Sequence, residues 1–177
     1  MQGLGHVGFY LCKYLTDDGA KLIVTDIDAE RVRRVVDDLG AEAVAPAAIY
    51  GVDADIYAPS ALGATVNDET LKQLKVDIIA GSANNVLAED RHGDILHDRG
   101  ILYAPDYVIN GGGLINVYGE LNGWSAERSM RKAAEIYGAL LQIFELAKEE
   151  GLPTYIAADR IAERRIAEVG EIQRTWV

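Results

Sequence analysis

The chain has 177 residues, 49% of them hydrophobic, and a formal net charge of −11 at pH 7. This length suits one domain, with or without an appendage, and the acidity argues against a nucleic-acid partner, which needs a basic surface. The single cysteine, Cys12, excludes an internal disulfide framework, and no apolar stretch reaches the ~18 residues that span a bilayer, so we expect a cytoplasmic protein without a membrane partner.

Strands and helices alternate through the first two thirds of the chain. The pattern predicts helices over residues 7–18, 28–39, 68–74 and 89–98, and strands over residues 21–26, 42–44, 54–58, 76–80 and 101–104. Asp28 is a suitable N-cap for the second helix, and Gly40 is a suitable stop. Alternation at this spacing is typical of an α/β fold of the Rossmann type, in which a doubly wound, mostly parallel sheet has helices on both faces.

The pattern changes to helices alone after Asn110. We predict helices over residues 114–121, 126–149 and 159–174, the second capped by Ser125 and stopped by Gly151. The three glycines at 111–113 indicate either a hinge or the close approach of a bulky group. We therefore expect an α/β domain over residues 1–124 and a C-terminal helical tail over residues 125–177, which packs on this domain or bridges to another one.

The chain opens with a glycine-rich loop. Gly3-Leu4-Gly5-His6-Val7-Gly8 has the G-x-G-x-x-G spacing, and Asp26 ends the next predicted strand. Such glycines allow a tight turn and a close approach to a pyrophosphate, which the helix N-terminus attracts. An acid at this distance binds the adenosine ribose and repels a 2′-phosphate, so NAD is favoured over NADP. The simpler alternative for Asp26 is a turn residue at a strand end.

Four loops follow predicted strands: residues 3–8, 26–28, 60–63 and 81–85. Ligands of open α/β sheets bind at the carboxyl ends of the strands, so these loops predict one site. The small residues of 81–85 would let a flat cofactor ring approach the backbone, although such a composition is common in loops. The three histidines do not have the spacing of a metal site, and we expect no metal: His6, His92 and His97.

The first strand of the sheet is almost missing from the sequence. Only Met1 and Gln2 precede Gly3, whereas a strand usually has about 5–6 residues and this one lies at the middle of such a sheet. We therefore expect the chain to correspond to a portion of a longer protein.

Seven ordered segments carry a family resemblance: residues 2–8, 21–26, 60–63, 79–83, 91–94, 104–110 and 153–160. With them the chain resembles the cofactor-binding domain of the amino-acid dehydrogenases that act on glutamate, leucine, phenylalanine and valine, and most of all the members acting on leucine. The resemblance implies reversible oxidative deamination of branched-chain L-amino acids, in catabolism, by NAD. The products are 2-oxo acids, ammonium and NADH. Family members are homo-oligomers.

The resemblance also implies roles for individual residues. Those that would bind NAD are Gly3, Leu4, Gly5, His6, Val7, Gly8, Asp26, Ile27, Ala61, Leu62, Ala83, Asn85 and Asn110. Asn110 would also face the substrate, whose side chain would lie against Leu114 and Val117. The apolar character of this pair suits an aliphatic substrate better than glutamate, because a buried carboxylate needs a cationic partner.

Departures from the family pattern are mild at four positions: His6 for Asn, Ser60 for Cys, Asn84 for Asp and Gly111 for Ala. The larger departure is the absence of the glycine-rich lysine motif of the amino-terminal substrate domain. We therefore assign no catalytic residue to this chain and expect it to be inactive alone. The alternatives are a non-catalytic NAD-sensing module and a dehydrogenase that prefers phenylalanine or valine.

Overall fold

The computed structural model describes residues 1–175, with side chains to residue 171, in two units, Met1–Asn110 and the described residues from Gly111 onward. The first unit contains, in chain order, α1 (His6–Asp17), β1 (Ile23–Val24), α2 (Ala29–Leu39), β2 (Glu42–Ala43), a 3-10 helix (Pro46–Gly51), β3 (Ile56–Tyr57), α3 (Asp68–Leu71), β4 (Ile78–Ile79), α4 (Arg91–Asp98), β5 (Leu102–Tyr103) and α5 (Asp106–Ile109). The second contains α6 (Gly112–Leu121), α7 (Ala126–Glu150) and α8 (Thr154–Thr175).

All strand pairs in the described residues are parallel. β1 pairs with β2, and β3, β4 and β5 form a second ladder in that order. Gln2 joins the two ladders through parallel bridges to Thr25 and Pro59. The resulting order is β2, β1, Met1–Gly3, β3, β4, β5. This is the strand order of the Rossmann fold, with Met1–Gly3 in the place of the first strand, so the predicted fold class is confirmed.

The amino-terminal residues make the backbone bonds of a central strand. On one side, the Thr25 amide donates to the Met1 carbonyl at 3.0 Å, and the Gly3 amide donates to the Thr25 carbonyl at 2.9 Å. On the other side, the Gln2 amide donates to Ala58 at 3.0 Å and its carbonyl accepts from Ser60 at 2.7 Å. The glycine-rich loop therefore begins from a fixed strand end.

Two apolar clusters hold the first unit together. One brings Leu4 and Cys12 against Val24 and Val35, which joins α1 and α2 to β1. The other is built around Ile79 and Leu96 and joins β4 to α4. Fully burying one such aliphatic side chain stabilises a fold by about 1.5–3 kcal/mol. The apolar residues of these strands and helices thus form the core, which holds the ends of the loops at the sheet edge in place.

The predicted caps of α2 and α7 are confirmed. The Asp28 side chain accepts from the Glu30 amide, and Ser125 accepts from the Arg128 amide. Gly40 and Gly151 end their helices in the left-handed conformation, with φ of 68° and 63°. Within residues 1–175, none of the helices combines the length and apolar character needed to cross a membrane.

Several details differ from the predicted elements. α8 begins at Thr154 rather than at residue 159, because the Pro153 carbonyl already accepts the Ala157 amide and starts the helical ladder. Gly112 and Gly113 lie inside α6 rather than ahead of it. The helix predicted over residues 68–74 ends at Leu71, while the 3-10 helix and α5 were not predicted. The functional division at residue 124 stays a prediction.

Candidate functional site

The glycine-rich loop turns where side chains would not fit. Gly3 has φ +99°, and a Cβ there would lie 2.6 Å from the Ala61 nitrogen. A Cβ on Gly8 would lie 2.1 Å from the Gly3 carbonyl oxygen. The loop, the first turn of α1 and the segment after β3 are therefore in backbone contact, and glycine is required at both positions.

The N-terminus of α1 is open to an anion. Gly5 is its N-cap, and neither a capping side chain nor an acidic residue satisfies its first turn. A Cβ on Gly5 would meet only Arg31 Nη1, at 3.8 Å, so there is open space beside this residue. The free amides and the helix dipole suit a diphosphate. The His6 and Val7 side chains are exposed at this turn, whereas the Leu4 side chain is buried in the core.

Asp26 is tied to the glycine-rich loop. Its Oδ2 accepts a hydrogen bond from the Leu4 amide at 2.6 Å, and its Oδ1 accepts one from the Asp28 amide at 2.9 Å. Its side chain is only 6% exposed, and Arg31 Nη1 lies 3.9 Å from Oδ2. A carboxylate has about four acceptor positions, so two remain for the hydroxyls of a ribose. Next to it, Ile27 is 95% exposed.

The loops that follow β3 and β4 contact each other. A Cβ on Gly63 would lie 2.5 Å from the Asn84 carbonyl oxygen and 2.7 Å from that of Asn85. The Ala64 amide donates to the Asn85 carbonyl at 2.6 Å, and both residues have left-handed φ, 57° and 52°. Ala61 and Leu62 lie exposed on the first of these loops. The loops 60–63 and 81–85, which were predicted to lie at the same edge of the sheet, are therefore in direct backbone contact.

Asn110 joins the same surface from the end of α5. Its Nδ2 donates to the Asn84 Oδ1 at 2.6 Å and to the Ala83 carbonyl at 3.3 Å. The Ala83 side chain is buried in the core, so only its backbone reaches the site. The structure thus places Asn110 in contact with Ala83 and Asn84, next to Asn85 in the chain, and the role of these residues at the nicotinamide end stays a prediction.

Leu114 and Val117 lie one turn apart on α6, and both side chains are exposed. They belong to the second unit. Their role as the wall of a substrate pocket stays a prediction, and so do the individual coenzyme contacts assigned to the first unit.

Asp106 is a buried acidic residue that was not among the predicted site residues. This carboxylate is 8% exposed, and its Oδ2 accepts the Val86 amide at 2.5 Å. Its own amide donates to the Tyr103 hydroxyl at 3.2 Å. Burial, with the Asp106 charge as a smaller cause, raises the pKa of Tyr103 far above its ordinary value. The available signal was an acidic residue directly after Pro105, at the end of a buried strand.

A second missed feature is a pair of tyrosines that flank Gln2. The Gln2 Nε2 donates to the Tyr50 hydroxyl at 2.8 Å, and the Tyr57 hydroxyl donates to the Gln2 Oε1. Burial raises the pKa of the Tyr57 phenol far above its usual range. This network lies one residue before the glycine-rich loop.

His92, in the segment 91–94 that resembles the family, is a buried residue with hydrogen-bond partners on both ring nitrogens. His92 is 1% exposed, and its Nδ1 accepts the Glu89 amide at 3.0 Å, while its Nε2 lies 3.3 Å from Asp68. Arg91 reaches the same carboxylate with two hydrogen bonds. In the part of the chain that the structure describes, no three His, Cys, Asp or Glu side chains gather in a way that could hold a metal ion.

Comparison with known proteins gives consistent results. The family model described as glutamate/leucine/phenylalanine/valine dehydrogenase matches residues 24–174. Leucine dehydrogenase from Bacillus cereus is 57% identical over 177 residues, which are 100% of this chain and 48% of that protein. The crystal structure of L-tryptophan dehydrogenase from Nostoc punctiforme superimposes with a TM-score of 0.94 at 47% identity, covering 96% of this chain and 52% of that one.

A more distant structure shares the fold alone. Hetero-hexameric glutamate dehydrogenase from Thermus thermophilus superimposes with a TM-score of 0.74 at 22% identity, over 97% of this chain and 46% of that one. The chain spans about half the length of the curated relatives it matches. By the match of the family model and the identity to its relatives, the chain belongs to the glutamate/leucine/phenylalanine/valine dehydrogenase family.

Proposed function

We propose that this chain binds NAD for an enzyme that reversibly deaminates branched-chain L-amino acids to 2-oxo acids, with release of ammonium. The observation that carries the proposal is the unit formed by the glycine-rich loop and Asp26. The uncapped N-terminus of α1 offers amides to a diphosphate, and the Asp26 carboxylate lies one hydrogen bond away, on the Leu4 amide. The relatives at 54–57% identity named leucine dehydrogenase support the reaction.

NAD is the proposed coenzyme because of the charges around Asp26. A 2′-phosphate would approach a carboxylate that is already fixed by two backbone amides and cannot turn away. Arg31, the nearest cation, has its Nε 3.3 Å from the Asp28 carboxylate, which leaves it less available to a phosphate. The ribose hydroxyls of NAD, in contrast, donate to free acceptor positions of the same carboxylate.

The remaining residues orient the reacting end. When bound, the nicotinamide ring accepts or returns a hydride. The loop of Ala83 and Asn85 would meet the nicotinamide ribose, and Asn110 would face the ring and the substrate. Leu114 and Val117 would contact an aliphatic side chain. Such apolar contacts discriminate by only about 1–3 kcal/mol per methylene, so leucine, isoleucine and valine should all be accepted.

We also propose that this chain alone does not turn over substrate. Activation of water and stabilisation of the carbinolamine need a cationic acid–base group, which the family resemblance places on a lysine. The six lysines of this sequence lie outside any such glycine-rich motif: Lys13, Lys21, Lys72, Lys75, Lys132 and Lys148. We propose that another part of the enzyme supplies this lysine and that the enzyme is a homo-oligomer.

Isothermal titration of the chain with NAD and with NADP tests coenzyme binding. We expect saturable binding of one NAD per chain and weaker binding of NADP. The absence of saturable NAD binding to a folded chain would overturn the proposal. A parallel assay with leucine and NAD should show no NADH formation at 340 nm, and steady turnover by the chain alone would overturn the assignment of the lysine to another part.

A further inference from the structure

The helix α5 contacts the loop after β4 at two points. At its start, Asp106 accepts the Val86 amide at 2.5 Å, and at its end the Asn110 side chain donates to Ala83 and Asn84. Asp106 and Asn110 are four residues apart and therefore lie on the same face of the helix. The loop is thus held from one side by a single short helix.

One peptide group of this loop is held at both of its polar atoms. The peptide between Asn85 and Val86 donates its N–H to the Asp106 carboxylate, and its carbonyl oxygen accepts the Ala64 amide at 2.6 Å. Asn85 itself has φ 52°, a left-handed conformation that non-glycine residues adopt at a cost. The two hydrogen bonds fix the peptide plane next to this residue, so they restrain the backbone from which the Asn85 side chain projects.

The Asp106 carboxylate is buried, so it needs such a partner. An unpaired buried charge is expensive, and a hydrogen bond from a backbone amide to a carboxylate is among the stronger ones in proteins. The Asp106 backbone is itself anchored, because its amide donates to the buried Tyr103 hydroxyl. A continuous set of hydrogen bonds therefore runs from Tyr103 of strand β5 through Asp106 to the Asn85–Val86 peptide.

We propose that Asp106 is a positioning residue for the nicotinamide-ribose end of the coenzyme, acting through the Asn85–Val86 peptide. The proposal rests on the proposed function and assigns Asp106 no contact with the coenzyme. Its effect is confined to one end of the site, because the adenosine end is held by separate contacts of Asp26 and the glycine-rich loop.

The test compares NAD with ADP, which lacks the nicotinamide ribose. In Asp106→Asn, we expect the Kd for NAD to rise roughly tenfold, since a charge-assisted hydrogen bond is replaced by a weaker one. The Kd for ADP should stay within about twofold, because its diphosphate and ribose use other residues. Asp98→Asn, at an exposed position of α4, is the matched control and should change neither value.

A double-mutant cycle separates positioning from general loss of structure. Asn85→Gly keeps the left-handed backbone and removes the side chain. It should also weaken the binding of NAD but not that of ADP. If Asp106 acts through Asn85, then Asp106→Asn has little further effect on NAD binding in the Asn85→Gly background. Additive effects, or equal weakening of NAD and ADP, would overturn the inference.

Two further outcomes are distinguishable. If the unaltered chain binds neither ADP nor NAD, the proposed function fails, and the inference with it. If Asp106→Asn does not fold, Tyr103→Phe removes only the hydroxyl that accepts the Asp106 amide. This milder variant should still raise the Kd for NAD relative to the Kd for ADP, by roughly two- to threefold. An unchanged ratio of the two Kd values would overturn the inference.

Discussion

The amide of Leu4 donates a 2.6 Å hydrogen bond to Oδ2 of Asp26, so the turn of the glycine-rich loop and the acid at the end of the next strand are one structural unit. The Leu4 side chain is buried in the core, while its backbone amide borders the site. The bond also means that Asp26 has two tasks, which are to hold the loop and to accept ribose hydroxyls. A substitution there should change both stability and coenzyme choice.

Asp26→Asn tests these two tasks together. The amide keeps one acceptor oxygen but loses the charge, so we expect the free energy of unfolding to fall by about 1–3 kcal/mol. The Kd for NAD should rise roughly tenfold, while NADP should be less affected because the repulsion of its 2′-phosphate is relieved. Urea denaturation and titration calorimetry measure the two effects. Asp37→Asn, on the exposed side of α2, serves as the control. An equal loss of affinity for NAD and NADP would contradict the proposal that the charge of Asp26 repels the 2′-phosphate.

Two glycine-to-alanine substitutions should change stability in opposite directions. In Gly8→Ala the new methyl group would lie 2.1 Å from the Gly3 carbonyl oxygen, so the loop must move, at a cost of about 1–3 kcal/mol or more. In Gly138→Ala, inside α7, the methyl group meets nothing within 4 Å, and helix propensity predicts a gain of about 0.5–1 kcal/mol. Chemical denaturation of both variants measures the difference, and a Gly8→Ala chain as stable as the parent would be the contrary result.

Much of the coenzyme end could be predicted from the sequence, because its signals are local. The spacing of Gly3, Gly5 and Gly8 encodes a turn into a helix, and an acid after the next apolar run falls beside it in any parallel α/β sheet. The N-cap of Asp28 and the stop at Gly40 are equally local and are confirmed. These features need only the order of residues along one βαβ unit.

The other end could not be predicted in detail, because its contacts join distant segments. The link between Asp106 and Val86 spans 20 residues, and that between Asn110 and Ala83 spans 27. Neither leaves a pattern in composition or periodicity. The glycines at 112 and 113 misled for a related reason: glycine weakens a helix on average, but tertiary context overrides propensity, and both lie in α6.

The ion pair of Arg91 and Asp68 should affect how the free energy of unfolding depends on pH in the acidic range. The Arg91 guanidinium, with a smaller effect of His92, lowers the pKa of the Asp68 carboxyl to about 2 from an ordinary 3.8. A carboxyl with a lowered pKa in the folded state stabilises the fold above pH 3.8, and this contribution disappears as the pH falls towards 2. The stability difference between the parent and Asp68→Asn should therefore be constant above about pH 5 and shrink below pH 4.

Urea denaturation between pH 7 and pH 3 measures this difference, and ¹³C NMR of the side-chain carboxyl follows the titration of Asp68 directly. Asp53→Asn, at an exposed position, is the control and should show no such narrowing. An Asp68 carboxyl that titrates near its ordinary pKa would contradict the prediction and would mean that the ion pair is not formed in solution.

Cys12 should be chemically inert while the chain is folded. Its side chain is 0% exposed in the cluster of α1, α2 and β1, and burial raises the pKa of its thiol, so both access and the reactive thiolate are lacking. We expect Ellman's reagent to modify it only as fast as the chain unfolds, and completely in urea. As a positive control, Ala134→Cys in a Cys12→Ala background exposes a thiol on α7 and should react within the mixing time. Rapid modification of Cys12 in the folded chain would show that α1 opens readily, and would contradict its assignment as a packing residue beneath the glycine-rich loop.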